Sequence, residues 1–217
     1  MTKTIIAPSI LSADFGNLEA DLKKITASSA EWIHIDVMDG SFVPRITFGT
    51  NMVELATKTS TKYLDTHLMI DNPAKHIEDF AKAGSHNLTI HLEASNNPEA
   101  DLKAIKEAGM SAGLSIKPDT PAEKAFPYLK FCDLFLVMTV NPGWSGQSFI
   151  NEGLNKISKI RAELNKIGSN CHLQVDGGIN AETGRLCLEA GANVLVSGSY
   201  LFTAENFNET VSELLTL

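Results

Sequence analysis

Four residues carry the clearest chemistry in this chain: His34, Asp36, His67 and Asp176. The first two lie in Trp32-Ile33-His34-Ile35-Asp36-Val37, an apolar strand. Alternation along a strand puts His34 and Asp36 on one face and Ile33, Ile35 and Val37 on the other. Polar groups at the end of a buried strand are costly unless they bind something. Imidazole nitrogen and carboxylate oxygen together suit Zn²⁺, Mn²⁺, Fe²⁺ or Co²⁺. Two such groups are half a site, and a paired strand end is the plain alternative. His67, in Asp65-Thr66-His67-Leu68-Met69, and Asp176, in Val175-Asp176-Gly177-Gly178, complete a two-histidine, two-carboxylate set for one divalent ion if the fold gathers these strand ends. His91, in Thr89-Ile90-His91-Leu92-Glu93, belongs behind the ligands or on the substrate side rather than among them as a fifth. His76, His86 and His172 are placed on helix or loop surfaces, without a role.

Glycines mark a second chemistry. Gly177 and Gly178 follow Asp176, and Gly198 sits between Ser197 and Ser199 at the start of a short helix containing Tyr200, Leu201 and Phe202. Bare backbone lets N–H groups approach an anion. One glycine turn is weak evidence; two on neighbouring strand ends form a phosphate cradle. Val140-Asn141-Pro142-Gly143-Trp144-Ser145-Gly146-Gln147 is long and glycine-rich enough to lie over a substrate as a lid, through Gly143, Trp144, Ser145 and Gly146. Met38, Met69 and Met138 are core fillers by type. On one rim they would form an apolar collar that keeps water from a reactive intermediate.

These residues need a scaffold that brings distant strand ends together. Apolar strands are expected at Ile5 to Ile10, Trp32 to Val37, Tyr63 to Leu68, Asn87 to His91, Ala112 to Ile116, Asp133 to Val140, His172 to Val175 and Ala192 to Val196. Helical stretches fall between them: Asn17 to Ser28, Asn51 to Lys58, Ala74 to Ala83 behind Pro73, and a helix opened by Pro98 and closed by Gly109. A short helix follows Thr120-Pro121, then come Ile150 to Ile167, Ala181 to Ala190 and Ala204 to Leu217. Strands alternating with helices eight times indicate a (β/α)8 barrel; a doubly wound open sheet is the alternative. No linker or change of composition divides residues 1–217, so one domain is expected. Chemistry in such a barrel belongs at the C-terminal strand ends. Those ends read Ser9; His34 and Asp36; His67; His91; Lys117; Met138; Asp176; and Ser197-Gly198-Ser199.

Composition excludes several classes. The net charge is −8, with both signs interspersed, which argues against nucleic acid and anionic membrane as partners. A local cradle of N–H groups still admits an anionic substrate. No apolar run reaches the ~20 residues of a membrane span, and the stretch from Met1 to Leu11 lacks a signal-peptide layout, so a cytoplasmic location is expected. Cys132, Cys171 and Cys187 are widely spaced and read as buried thiols of a reducing compartment.

Several stretches together resemble the ribulose-phosphate 3-epimerase family over nearly the whole length. They are Ala7-Pro8-Ser9-Ile10-Leu11-Ser12-Ala13-Asp14-Phe15, His34-Ile35-Asp36-Val37-Met38-Asp39-Gly40 with Phe42-Val43-Pro44, His67-Leu68-Met69, Val137-Met138-Thr139-Val140-Asn141-Pro142-Gly143, and Val175-Asp176-Gly177-Gly178-Ile179. The resemblance implies a metal-dependent barrel interconverting ribulose 5-phosphate and xylulose 5-phosphate. It implies a metal on His34, Asp36, His67 and Asp176, and Asp36 and Asp176 as acid/base groups on opposite substrate faces. Ser9 and His67 would touch the sugar; Gly143 to Gly146, Gly177, Gly178, Gly198 and Ser199 would hold lid and phosphate. The chemistry implied is removal of the C3 proton to give an enediolate, stabilised by the metal as a Lewis acid, and return of a proton to the other face. The family also implies a homo-oligomer. This chain departs from the commonest family pattern in its Gly143-Trp144-Ser145-Gly146 lid, in Lys117 and in Arg45. No departure removes a ligand or a catalytic acid. A six-carbon substrate such as allulose 6-phosphate stays open as the alternative. A non-catalytic sugar-phosphate binder and a metal hydrolase are the competing classes.

Overall fold

The structure is a computed structural model and describes residues 3–217; Met1 and Thr2, the start of the expected domain and of the N-terminal stretch, lie outside the described residues. Eight strands form one parallel sheet: β1 Ile5–Pro8, β2 Trp32–Met38, β3 Tyr63–Met69, β4 Asn87–His91, β5 Ser111–Ile116, β6 Leu134–Met138, β7 His172–Asp176 and β8 Val194–Ser197. Each pairs with its sequence neighbour from β2 to β8, and β8 pairs with β1. A parallel bridge between Ser9 and His34 joins the two remaining edges. The fold is therefore the (β/α)8 barrel expected from the alternation.

The helices are α1 Leu18–Ala27, α2 Thr50–Thr59, α3 Ile77–Ala83, α4 Pro98–Glu107, α5 Glu152–Lys166, α6 Ala181–Glu189, α7 Ser199–Phe202 and α8 Phe207–Leu215. Several differ from the sequence reading for local reasons. β1 stops at Pro8, and Ser9 turns the chain into a 3₁₀ helix over Ile10–Ser12 by accepting a hydrogen bond from Leu11 N. The helix expected from Ala74 starts as a 3₁₀ turn, Pro73–His76, before α3. After β5 only two 3₁₀ segments form, Ala122–Lys124 and Phe126–Phe131, with Pro121 and Pro127 interrupting any longer helix. β6 ends at Met138, two residues before the expected end, and the loop toward Val140 leaves the sheet. The final helix starts at Phe207 because the Asn206 side chain caps it, accepting from Glu209 N.

Outward-facing residues such as Ile33, Ile35, Leu64, Leu88, Phe135 and Leu173 pack with the helices in one continuous apolar layer. The barrel interior is divided. Ile5, Ala7, Trp32, Leu134, Leu136, Met138, Val194 and Val196 make an apolar cluster. The strands opposite bury His34, Asp65, His67, Asn87, Thr89 and Gln174 at 0% exposure. Buried polar groups must pair with each other, and here they converge on Asp65. Its carboxylate accepts from Asn87 Nδ2 at 2.8 Å and Gln174 Nε2 at 2.6 Å, and meets His34 Nδ1 at 2.7 Å.

Removing that acceptor strands three buried donors at once. Asp65→Ala should therefore destabilise the fold by about 3–5 kcal/mol, the cost of breaking a buried ion pair from one side. Urea unfolding monitored by circular dichroism would measure it; a loss below ~1 kcal/mol would refute the role given to Asp65.

Candidate active site

Strand register assembles the site. Asp36 and His67 are partners across β2 and β3, as are Met38 and Met69. Met138 and Asp176 are partners across β6 and β7. Ligand atoms of His34, Asp36, His67 and Asp176 lie within 4.8 Å of one another, so the cluster is able to hold a metal ion. The first three side chains are at most 3% exposed, and Asp176 keeps 17%. His34 Nε2 lies 3.2 Å from Asp36 Oδ1 and 4.0 Å from Asp176 Oδ2. His67 Nδ1 lies 3.1 Å from the same Asp36 oxygen. Two ring nitrogens and two carboxylates facing one point form a donor set that fits a divalent transition ion. Behind it, Asp65 at His34 Nδ1 fixes the ring so that Nε2 faces the cluster, the carboxylate–histidine arrangement common at metal sites.

The two aspartates sit in contrasting electrostatic surroundings. Burial pushes the Asp36 carboxyl upward, but the charge and hydrogen bond of His34 outweigh it and hold Asp36 far below the usual range. Ser9 Oγ donates a further 2.6 Å hydrogen bond to Asp36 Oδ2. Burial, then the neighbouring Asp36 charge, raises Asp176 to about 7. Burial alone would lower His34; the Asp36 and Asp65 charges raise it well above the ordinary value. His67 is lowered, chiefly by burial. At neutral pH the metal-free cluster thus pairs one ionised aspartate with one that is partly protonated.

A cavity of about 460 Å³ opens over these groups. Ser9, Asp36, Asp176 and the three methionines Met38, Met69 and Met138 line it, and so do Gly143, Trp144, Ser145, Gly146, Gly177, Gly178, Gly198 and Ser199. The expected collar, lid and cradle residues therefore share one space. Gly177 and Gly178 have φ of +120° and +67°. A Cβ at Gly178 would stand 2.7 Å from Phe149 N, and one at Gly177 2.8 Å from Val140 N, so both glycines are required by close backbone approach. Trp144 is 48% exposed on the cavity rim.

Other placements sharpen the sequence reading. His91 is fully buried and contacts His67, Nε2 to Nε2 at 2.8 Å. It stands behind a candidate ligand, not on the substrate side. The Lys117 ammonium lies 3.6 Å from the centre of the Phe42 ring rather than on the cavity wall. His172 is half-buried in β7 with Nδ1 2.8 Å from Asn193 Nδ2, not on a loop surface. Sequence reading missed Asp65 and Gln174, which share strand faces with His67 and Asp176. It also missed Thr139, whose hydroxyl donates to the Asp176 and Gly177 carbonyls at 2.9 and 2.7 Å. Gln147 was overlooked too; it donates to the Asn141 and Trp144 carbonyls and ties the loop after β6 together. Period-two alternation marked the first pair as inward-facing; nothing local marked the others.

Comparison with known proteins agrees. Residues 5–202 match the model of the ribulose-phosphate 3 epimerase family. Curated relatives include ribulose-phosphate 3-epimerases of Synechocystis sp. (45% identical over 98% of this chain and 94% of the relative) and Bacillus subtilis (43%, 96% and 97%). The cytoplasmic isoform of Oryza sativa subsp. japonica is 40% identical over 96% of this chain and 92% of its own. Among solved structures, KGPDC from Streptococcus mutans shares the fold (TM-score 0.71, 14% identity, 98% of this chain and 96% of that one). With a family match across almost the whole barrel and close relatives of near-equal length, the chain belongs to the ribulose-phosphate 3-epimerase family, a family of isomerases.

Proposed function

We propose that this chain interconverts D-ribulose 5-phosphate and D-xylulose 5-phosphate by proton transfer between two aspartates, Asp36 and Asp176. The observation that carries this is the contrast between them. Inverting a carbon next to a ketone needs a base on one face and an acid on the other. In the metal-free cluster Asp36 is held ionised by His34 and Ser9, while Asp176, pushed up to about 7, is partly protonated at neutral pH. Asp36 takes the C3 proton, and Asp176 returns one to the opposite face; the roles exchange in the reverse direction. Because the groups interact, the protons belong to the pair. His34, Asp36, His67 and Asp176 would hold one divalent ion, Zn²⁺, Fe²⁺, Mn²⁺ or Co²⁺. Bound there, the ion supplies Lewis-acid stabilisation of negative charge developing on the substrate oxygens.

The remaining residues bind, orient and exclude water. Ser9 faces the sugar, whereas His67, fully buried with both ring nitrogens engaged, is off the cavity wall and does not make the expected sugar contact. Met38, Met69 and Met138 leave no hydrogen-bond donor that would reprotonate the enediolate from a wrong direction. Gly177, Gly178, Gly198 and Ser199 take the phosphate, and Gly143, Trp144, Ser145 and Gly146 cover it. The name of the Oryza relative supports a cytoplasmic location, and no helix among the described residues is long and apolar enough to cross a membrane. Exposed Ile46 and Phe15 on the face carrying the site support self-association.

The deciding experiment is a coupled assay on ribulose 5-phosphate with the metal-loaded protein, run beside allulose 6-phosphate. Turnover of the five-carbon ketose should exceed that of the six-carbon one; the reverse would assign the alternative substrate. Asp36→Asn and Asp176→Asn should each lower kcat at least about 10²–10⁴-fold, the range of a lost general acid or base, with unchanged circular dichroism. Substantial turnover in either variant would remove that aspartate from the chemistry. Chelation should abolish activity, and Zn²⁺ or Co²⁺ should restore it.

Metal affinity should rise with pH. In the metal-free protein Asp176 is raised to about 7 and His34 well above its ordinary value, so binding must expel protons. Higher pH removes them beforehand and tightens binding through and above the Asp176 value of about 7. Calorimetry in buffers of different ionisation enthalpy should show proton release; a pH-independent affinity would contradict it.

A further inference from the structure

Behind the cluster runs a chain of four groups: Asp36, His67, His91 and Glu93. It has three contacts. Asp36 Oδ1 meets His67 Nδ1 at 3.1 Å, His67 Nε2 meets His91 Nε2 at 2.8 Å, and His91 Nδ1 meets Glu93 Oε2 at 3.2 Å. Two neutral imidazoles bring two N–H protons, so one of the three contacts lacks a proton. At the middle contact that would set lone pair against lone pair; at either end it sets lone pair against carboxylate, which is where a cation belongs.

The surroundings decide which contact it is. Glu93 Oε1 accepts from Lys117 N at 2.8 Å and from the Thr120 hydroxyl. The loop carrying both donors is pinned by Lys156 Nζ, which donates to the Lys117, Pro118 and Thr120 carbonyls. Glu93 is thus fixed with Oε2 toward His91, where an acceptor alone is presented. The far end of the chain, at Asp36, adjoins His34, Asp176 and the open cavity. Protons drawn toward Glu93 place N–H on His91 Nδ1 and on His67 Nε2. His67 Nδ1 is then bare.

We propose that Glu93 is a positioning residue that, through His91, selects the His67 tautomer whose Nδ1 lone pair faces the metal. The inference rests on the reading of His67 as a metal ligand. It separates the effects of carboxylate and amide at position 93. In Glu93→Gln the amide oxygen must take the Lys117 N–H, which can only donate. The NH₂ is then forced toward His91 Nδ1. It supplies the missing proton from the wrong end: His91 donates Nε2–H to His67 Nε2, and His67 donates Nδ1–H to Asp36. All three contacts are satisfied, and the metal-binding lone pair is gone. Glu93→Ala leaves His91 Nδ1 without a partner and forces neither tautomer.

The test titrates metal-free protein with Zn²⁺ against a chromophoric chelator, for wild type, Glu93→Ala, Glu93→Gln and His67→Ala. Glu93→Gln should bind about 10–100-fold more weakly than wild type, the usual effect of a lost outer partner. Glu93→Ala should fall between the two. A packing role predicts the opposite order, with isosteric Gln milder than Ala, so Ala binding more weakly than Gln would overturn the proposal, as would Gln binding like wild type. Nitrogen-15 spectra of histidine side chains give a second readout: metal-free Glu93→Gln should carry the His67 proton on Nδ1, and Zn²⁺-loaded wild type on Nε2. A proton on Nε2 of metal-free Glu93→Gln would overturn the relay. If His67→Ala binds Zn²⁺ as wild type does, the ligand reading fails instead, and the Glu93→Gln spectrum still decides the relay.

Discussion

The buried Asp65 carboxylate is the constraint on which the barrel interior depends. A (β/α)8 core is ordinarily filled by branched apolar side chains. Here one half is polar, and such a half is tolerable only when its groups satisfy one another. Asp65 does this with residues from β2, β4 and β7, so a single side chain ties strands on opposite sides of the barrel. The consequence reaches the site directly. With Nδ1 of His34 committed to Asp65, Nε2 has only the Asp36 and Asp176 side to face. Core packing and ligand orientation are here one interaction.

The same polar half sets the charges of the aspartates. Asp36 lies against two imidazoles and a serine hydroxyl; Asp176 lies against Asp36 with only His34 as a cationic neighbour. Two carboxylates so close cannot both ionise freely, and the environment decides which keeps its proton. A divalent ion shared by both would lower each. The ion and the second proton therefore compete at this cluster, and it is the metal-free cluster that pairs one ionised aspartate with one partly protonated.

Much of this was legible in the residues. The strand-helix alternation predicted the barrel, and the strand ends named the four cluster residues, the methionine collar and the glycine loops. Misplaced element ends fell at Pro8, Pro73 and Pro121, where proline permits a 3₁₀ turn as readily as strand or α-helix, at Asn206, whose capping role depends on its backbone angle, and at Met138, where the chain leaves the sheet early. Asp65 and Gln174 were visible as inward-facing by alternation, but their pairing spans 109 positions and exists only after the barrel closes. Thr139 gave no local signal, because its role is to hold carbonyls that β7 and the loop after it deliver.

A net charge of −8 repels an anion such as a sugar phosphate at long range. The cavity answers with short-range means. Gly177, Gly178 and Gly198 line it with no lysine or arginine among the described residues on the wall, so what that wall offers an anion is backbone dipoles and hydroxyls. A lysine near the aspartates would also have pulled Asp176 down toward the ionised state. The Lys117 ammonium, a candidate by its strand-end position, is instead turned onto the Phe42 ring. Keeping fixed cations away from the wall preserves the raised Asp176, and the two glycines sit where the Val140 and Phe149 backbone leaves no room for a side chain.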